Sequence, residues 1–160
     1  MTALYVASPF GFFEAGRSFY HARLLPLIRD AGYDVLDPWA LTSEAKLDAV
    51  RTLPAGEPRQ RAWLALSLEI GATNREAIDR SDGVVAVLDG VDVDSGAAAE
   101  IGYAYARSRR ILGYRGDRRA SGDNEGVLVN LQVEYFIRAS GGEIVRSLHE
   151  IPEALRRLFG

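Results

Sequence analysis

Residues 82–106 constrain the possible fold more than any other part of the sequence. An apolar, β-branched run at residues 84–88 is short enough to be a buried parallel strand. A polar loop with three aspartates follows, and apolar residues then recur at helical spacing from Gly96. This pattern predicts a strand, a loop and a helix whose N-cap is Asp94 or Ser95.

Glu100 falls in the first turns of this predicted helix, at the carboxyl edge of the strand, where open α/β sheets bind ligands. A carboxylate near a helix N-terminus is expected to be held ionised by the backbone dipole, and a fixed carboxylate can attack an acetal-like carbon. Asp94 supplies a second carboxylate for hydroxyl binding or proton transfer, and Gly96 lets a ligand approach closely. A solvated helix face around Glu100 fits the spacing equally well.

Length and composition predict one domain over residues 1–160, with 48% hydrophobic and 26% charged residues as in ordinary soluble proteins. The net charge of −3 argues against a nucleic-acid partner. No apolar run approaches the roughly 20 residues of a membrane span, and the N-terminus has no signal-peptide pattern. We therefore expect no membrane partner and a cytoplasmic location.

The residue types that bind metals are sparse. The chain has no cysteine and two isolated histidines, which excludes thiol chemistry and argues against a structural zinc site. The aspartate run that begins at Asp92 lacks the glycine and glutamate positions of a calcium loop. No metal or organic cofactor is expected.

The remaining elements alternate between strands and helices. Further strands are predicted at residues 4–7, 33–37, 110–114 and 143–145. Helices are predicted at residues 14–31, 41–53, 61–80, 127–137 and 151–158, with loops at 54–58 and 115–126. Five strands alternating with helices predict a three-layer α/β/α sandwich, whose five-stranded parallel sheet has the flavodoxin-like order 2-1-3-4-5.

The segment D-S-G-x-A-x-E-I-G-Y-A, after the strand V-V-A-V-L-D-G, resembles the nucleoside 2-deoxyribosyltransferase family, and the likeness covers nearly the whole chain. Those enzymes move a 2-deoxyribosyl group between nucleobases through a covalent glutamyl–sugar intermediate. The resemblance implies that Glu100 is the nucleophile, that Asp94 assists it, and that Asp92 and Gly96 lie against the substrate.

Two further residues receive roles from this resemblance. Tyr5, on the first strand, matches an aromatic residue that orients the nucleophile; a core tyrosine is the alternative. Asn74 occupies a position where the transferases commonly have an aspartate that protonates or hydrogen-bonds the departing base. Asparagine cannot deliver a proton, so the proton source stays open, and ordinary polar capping is the alternative for Asn74.

Aromatic residues cluster after the first two predicted strands. We interpret Phe10, Phe12, Phe13 and Trp39 as a wall on which a nucleobase stacks. An oligomer contact is the alternative for the three phenylalanines.

The motif N-L-x-x-E-Y-F, beginning at Asn130, resembles the family segment that reaches into the neighbouring subunit's site. There an asparagine contacts a sugar hydroxyl; Asn130 matches it, with Gln132 close by. The resemblance thus implies a homo-oligomer with a dimer as its minimum unit, and a hexamer built from dimers would suit the family. A surface amphipathic helix is the alternative.

The resemblance implies base exchange on 2′-deoxynucleosides with retention, using free nucleobases as acceptors. The alternative is an N-glycoside hydrolase of 2′-deoxynucleosides or nucleoside 5′-monophosphates, with Ser8, Arg17 and Ser95 as candidate phosphate ligands. A non-catalytic nucleotide-binding module is a third hypothesis. The sequence leaves the base preference open.

Overall fold

A five-stranded parallel sheet organises the chain, and the computed structural model describes all of residues 1–160. The strand order is β2-β1-β3-β4-β5, which confirms the predicted three-layer architecture. Every neighbouring pair of strands is parallel. The strands are β1 (Ala3–Ala7), β2 (Asp34–Leu36), β3 (Gly83–Val87), β4 (Arg110–Tyr114) and β5 (Glu143–Val145).

Helices connect the strands and cover both faces of the sheet. The first connection is almost continuously helical, with a π-helical segment (Tyr20–Leu24) between its two α-helical parts. The helices are α1 (Glu14–Phe19), α2 (Leu25–Asp30), α3 (Glu44–Arg51), α4 (Glu57–Arg80), α5 (Ser95–Ala106), α6 (Leu131–Ala139) and α7 (Ile151–Phe159). None of them combines the length and the apolar content that crossing a bilayer requires.

The alternation of side chains along the strands creates two separate cores. Leu4 and Val6 of β1 point towards the side covered by α1, α2 and α7. Tyr5 and Ala7 point towards the side covered by α4, α5 and α6. Tyr5 is fully buried, and its side chain therefore lies beneath the helices that follow β3 and precede it.

Three helices have ends that differ from the prediction. The helix predicted at 127–137 begins at Leu131, because the Asn130 side chain accepts from the backbone N–H of Gln132 and of Val133. The helix predicted at 61–80 begins at Glu57, since Pro58 is tolerated in a first turn. The helix predicted at 41–53 is limited to α3.

Two helix ends are marked by local sequence signals. Gly32, after α2, has φ +94°, the left-handed conformation that ends a helix. Ser147 and Glu150 form a capping box ahead of α7, in which the Ser147 N–H donates to the Glu150 carboxylate at 2.8 Å. Both signals are local: Gly32 ends the helix before β2, and the capping box opens the segment that leads from β5 into α7.

Candidate active site

The β3–α5 connection carries Glu100 to the carboxyl edge of the sheet. Asp94 is the N-cap of α5, and its Oδ2 accepts from the Ala97 N–H at 3.0 Å. Glu100 lies six residues further along α5, on the side facing α4 and β1. The cap thus fixes both carboxylates on one helix.

Two donors hold one oxygen of Glu100. The Tyr5 hydroxyl donates to Glu100 Oε1 at 2.6 Å, and the Asn74 amide donates to the same oxygen at 3.5 Å. Glu100 Oε2 accepts no hydrogen bond from the chain. Fixing one oxygen orients the carboxylate and leaves the other free for a ligand.

Burial is the largest influence on Glu100 and raises its pKa above the ordinary range. The hydrogen bond from Tyr5 opposes this rise, while the negative charge of Asp94 adds to it and the Asn74 hydrogen bond lowers it again. Burial therefore opposes the helix dipole, which was expected to favour the ionised form of Glu100. The dipole acts mainly within the first turn, and Glu100 lies beyond it.

Tyr5 remains a donor under all ordinary conditions. Burial raises the pKa of its hydroxyl far above the usual range, and the neighbouring charge of Glu100 raises it further. A protonated tyrosine at 2.6 Å can therefore stabilise the ionised form of Glu100 without competing for its proton.

Asn74 has an unused acceptor. Its Oδ1 is buried and has no hydrogen-bond partner, while its Nδ2 faces Glu100. A buried polar atom without a partner is costly and is often found where a ligand or a water completes the site. Asn74 can thus offer an acceptor to a bound molecule, but no proton.

Asn74, Asp94 and Glu100 border a cleft of about 840 Å³, which is large enough for a nucleoside-sized ligand, whereas Tyr5 is not among its lining residues. The loops after β1 and β2, the helices α1, α3 and α4, and the start of α5 form its walls. The lining residues are Ser8, Gly11, Phe12, Arg17, His21, Pro38, Trp39, Thr42, Glu44, Leu47, Arg51, Ser67, Ile70, Asn74, Asp94, Gly96, Ala97 and Glu100.

Trp39 is the best-anchored aromatic side chain of the cleft. Its indole N–H donates to the Ser8 carbonyl at 3.1 Å, which ties the loop after β2 to the loop after β1. A Cβ at Gly11 would overlap the indole ring, so glycine is needed for this close approach. Phe12 meets Trp39 edge to face, with ring centroids 4.7 Å apart.

The structure places the other two predicted aromatic residues outside the cleft. Phe10 is buried in the core on the α1 side, because Ser8 caps a short 3-10 turn (Pro9–Phe12) that directs this ring inward. Phe13 is half exposed and packs edge to face on Phe10.

The loop after β3 and the start of α5 place some predicted site residues in the cleft and one on the surface. Asp94 and Gly96 line the cleft, and Gly96 leaves the start of α5 open there. Asp92 is exposed outside the cleft, where its Oδ1 accepts from the Val93 N–H at 2.7 Å. No group of three or more histidine, aspartate or glutamate side chains is arranged to hold a metal ion.

Asn130 and Gln132 lie outside the cleft of their own chain. Asn130 is the N-cap of α6, and Gln132 is exposed in the first turn of that helix. The single chain therefore gives these two residues no contact with Glu100.

His21 and three residues of α3 also line the cleft, although their sequence did not mark them as site residues. His21 follows Arg17 by four residues, and both line the cleft from one face of the first helix. That spacing was a usable signal. Leu47 and Arg51 reach the cleft only because α3 folds back over α4, which no local pattern indicates.

The model of the family described as nucleoside 2-deoxyribosyltransferase matches residues 4–132. No curated protein is similar enough to the chain to count as a match.

Several solved structures share the fold. A conserved protein from Enterococcus faecalis V583 is 26% identical, with a TM-score of 0.68 and 98% of each chain covered. A 2-deoxyribosyltransferase from Leishmania mexicana is 19% identical, with a TM-score of 0.69 and 100% of each chain covered. A CMP N-glycosidase from Clostridium botulinum is 17% identical, with a TM-score of 0.58 and 98% of each chain covered. At such identities the last two show similarity of fold.

Proposed function

The chain belongs to the nucleoside 2-deoxyribosyltransferase family, and from this premise we propose that it exchanges nucleobases on 2′-deoxynucleosides. The donors are 2′-deoxynucleosides and the acceptors are free nucleobases. The observation that carries the proposal is the Tyr5–Glu100–Asn74 group, in which two donors fix one carboxylate oxygen and leave the other free beside the cleft.

Glu100 is the nucleophile. Its free Oε2 attacks C1′ of the sugar as the C1′–N bond breaks, and the electron pair of that bond leaves on the base. The products are a glycosyl ester on Glu100 and a departing base. A nitrogen of the second base then attacks C1′, releases the carboxylate and loses its own proton. Two inversions at C1′ give net retention.

Tyr5 and Asp94 support this chemistry in different ways. The Tyr5 hydroxyl keeps Glu100 oriented and partly offsets the cost of its buried charge. Asp94 faces the same cleft and accepts hydrogen bonds from the sugar hydroxyls. Gly96 leaves room for the sugar at the helix start.

The base lies against Trp39 and Phe12, with Asn74 at its edge. The unpartnered Asn74 Oδ1 accepts an N–H of the base. Because an amide cannot release a proton, the departing base takes its proton from solvent or from another acid of the cleft.

The active unit is a homo-oligomer, at least a dimer and, if the family assembly holds, a hexamer. The proposal brings Asn130 of one chain to a sugar hydroxyl in the neighbouring chain, with Gln132 beside it. Their position outside the cleft of their own chain supports this arrangement. The reaction needs no cofactor, and we assign it to the cytoplasm.

A chromatographic assay tests the proposal directly. The purified protein is incubated with 2′-deoxyinosine, with and without adenine or cytosine. A new deoxynucleoside should form only when a base is added, and Glu100→Gln should abolish its formation. The matched control is Glu76→Gln, an exposed glutamate of α4, which should keep the rate. A normal rate in Glu100→Gln would rule out the mechanism.

The second candidate is hydrolysis of the N-glycosidic bond of 2′-deoxynucleosides or nucleoside 5′-monophosphates. Two of its predicted phosphate ligands, Ser8 and Arg17, line the cleft, whereas Ser95 does not. The fold is also that of a CMP N-glycosidase. Release of free base at a rate indifferent to added acceptor, and faster from a 5′-monophosphate, would favour this candidate over transfer.

A further inference from the structure

Arg115 is a fully buried cation without a carboxylate partner. Only 1% of the residue is exposed, although it carries a guanidinium group. That group donates to three backbone carbonyls: Leu88, Gly90 at 3.3 Å and Arg119 at 2.9 Å. The ion pairs of the chain do not include it.

Burying a charge is expensive unless its hydrogen-bonding groups are satisfied. Arginine can meet this condition with carbonyls because its donors form a rigid, planar fork, which a lysine ammonium lacks. A fork that contacts carbonyls in two different segments holds those segments at a fixed separation. Here the segments are the start of the β3–α5 loop and the chain just after β4.

The β3–α5 loop, residues 89–94, is thus held at both ends. At its start are the two contacts from Arg115 and a bond from the Asp117 N–H to Asp89 Oδ1 at 2.8 Å. At its end Val93 is buried and Asp94 caps α5. The middle of the loop has few other ties.

A second arginine extends the same contact pattern. Arg146, just after β5, donates to the Arg115 carbonyl at 3.0 Å and to the Asp117 carbonyl at 3.1 Å. Hydrogen bonds from two arginine side chains to backbone carbonyls therefore join the carboxyl ends of β3, β4 and β5. The β4–α6 segment that receives these bonds continues to Asn130.

We infer that Arg115 is a positioning residue, which holds the 89–94 loop so that Asp94 faces the cleft beside Glu100. It acts through backbone carbonyls and does not touch the substrate. Its catalytic consequence rests on the proposed function, whereas its effect on the loop does not. Loosening the loop weakens the contacts of Asp94 with the substrate more than it changes the nucleophile, which Tyr5 and Asn74 hold separately.

The kinetic test compares Arg115→Lys and Arg115→Met with Arg118→Met. Arg118 is an exposed arginine of the same segment whose side chain makes no hydrogen bond. The Arg115 variants should raise KM for 2′-deoxyinosine on the order of tenfold, with kcat changed by less than about threefold. Arg118→Met should change neither. Equal KM values in all three variants would overturn the inference.

Amide hydrogen exchange tests the loop without reference to activity. The Asp117 and Ala97 amides report its two ends, because they donate to Asp89 and Asp94. Both should exchange at least about tenfold faster in the Arg115 variants and at the wild-type rate in Arg118→Met. Unchanged exchange would overturn the inference, even if the wild type proved inactive as a transferase.

If neither Arg115 variant folds, the wild-type protein supplies the deciding measurement. The Asp117 amide should then be protected relative to the neighbouring Arg118 amide, which donates to no group of the chain. Equal exchange at these two positions would contradict a fixed loop.

Discussion

At the scale of single residues, the pKa of Glu100 is set by neighbours that act in opposite directions. Burial and the charge of Asp94 raise its pKa, whereas the hydrogen bonds from Tyr5 and Asn74 lower it. A nucleophile must be ionised, so each of these neighbours shifts the pH at which the site becomes active.

The neighbours of Glu100 should therefore move the acidic limb of kcat/KM in opposite directions. Tyr5→Phe removes a hydrogen bond that lowers the pKa, so the limb should move to higher pH. Asp94→Asn removes a negative charge that raises the pKa, so the limb should move to lower pH. Rate profiles between pH 4 and 8 measure both shifts. Shifts of the same sign in both variants would contradict this account.

Glu100→Gln should stabilise the fold while removing activity. The folded state binds the Glu100 proton more tightly than the unfolded chain, because the folded pKa is raised. The ionised form therefore costs stability, and this cost grows as pH rises from the ordinary glutamate pKa through the raised one. Above that window the neutral glutamine avoids the cost and still accepts from Tyr5.

Thermal unfolding at pH 7.5 and pH 4 provides the measurement. The Tm of Glu100→Gln should exceed that of the wild type at pH 7.5, and the difference should shrink at pH 4. Transferase activity should fall by on the order of 10³ or more. A Tm difference that is the same at both pH values would show that proton linkage is not its source.

At this scale, local pattern and family resemblance indicated Glu100, Asp94, Tyr5 and Asn74 as site candidates, and the structure brings them together. The same reasoning could not choose among the three phenylalanines after β1. Which ring faces the cleft depends on the Ser8 cap and on Trp39, a residue distant in sequence.

At the scale of elements, the loops after β1 and β2 act as one unit. Asp37 is buried, and its Oδ1 accepts from the Tyr20 hydroxyl at 2.8 Å and from the Trp39 N–H at 3.0 Å. Burial raises the pKa of Tyr20 far above its usual range, and the Asp37 charge adds to this. Tyr20 lies in the π-helical segment, so the first helix positions the aromatic wall of the cleft.

Tyr20→Phe should therefore destabilise the protein and weaken nucleoside binding together. Losing the hydroxyl partner of a buried acceptor costs about 1–2 kcal/mol of unfolding free energy. KM for the nucleoside should rise severalfold because Trp39 loses part of its support. Urea unfolding and steady-state kinetics measure the two effects.

Tyr33→Phe is the matched control for this prediction. Tyr33 is also buried, but its hydroxyl donates to the Leu155 carbonyl at 3.0 Å, away from the cleft. It should lose stability to a similar degree and keep its KM. An increase of KM in both variants would mean that general destabilisation, rather than Trp39, is responsible.

Sequence patterns predicted nearly every helix and strand, but they misplaced the ends of several helices. The start of α6 was misplaced because Val127 and Leu128 continue the apolar pattern outside the helix, where Asn130 caps it. The π-helical turn around Tyr20, whose hydroxyl bonds Asp37, has no signal in the periodicity.

At the scale of the whole molecule, the strand order followed from general rules. Alternating strands and helices with right-handed crossovers leave few topologies, and the observed order is one of them. The sequence predicted that the cleft lies at the carboxyl edge of the sheet, but not its far wall. That wall is α3, an exposed helix with no buried residue, so no apolar pattern indicates where it packs. The homo-oligomer was predicted only from the family resemblance at Asn130, because no pattern within one chain shows which surface a second copy covers.

Subunit complementation tests whether each active site is shared between two chains. Glu100→Gln lacks the nucleophile. Asn130→Ser lacks the amide but keeps a serine that can still cap α6, so its fold should survive. Each variant alone should be nearly inactive if Asn130 acts in the neighbouring site.

In a dimer that combines the two variants, one site carries both defects and the other carries none. Equal mixing after reversible dissociation gives half mixed dimers, so activity should recover to about a quarter of the wild-type value. If Asn130 serves only its own chain, every mixed site lacks one of the two residues and mixing restores nothing. If Asn130 has only its capping role, Asn130→Ser is fully active by itself. The three arrangements therefore give three different activities from one pair of proteins.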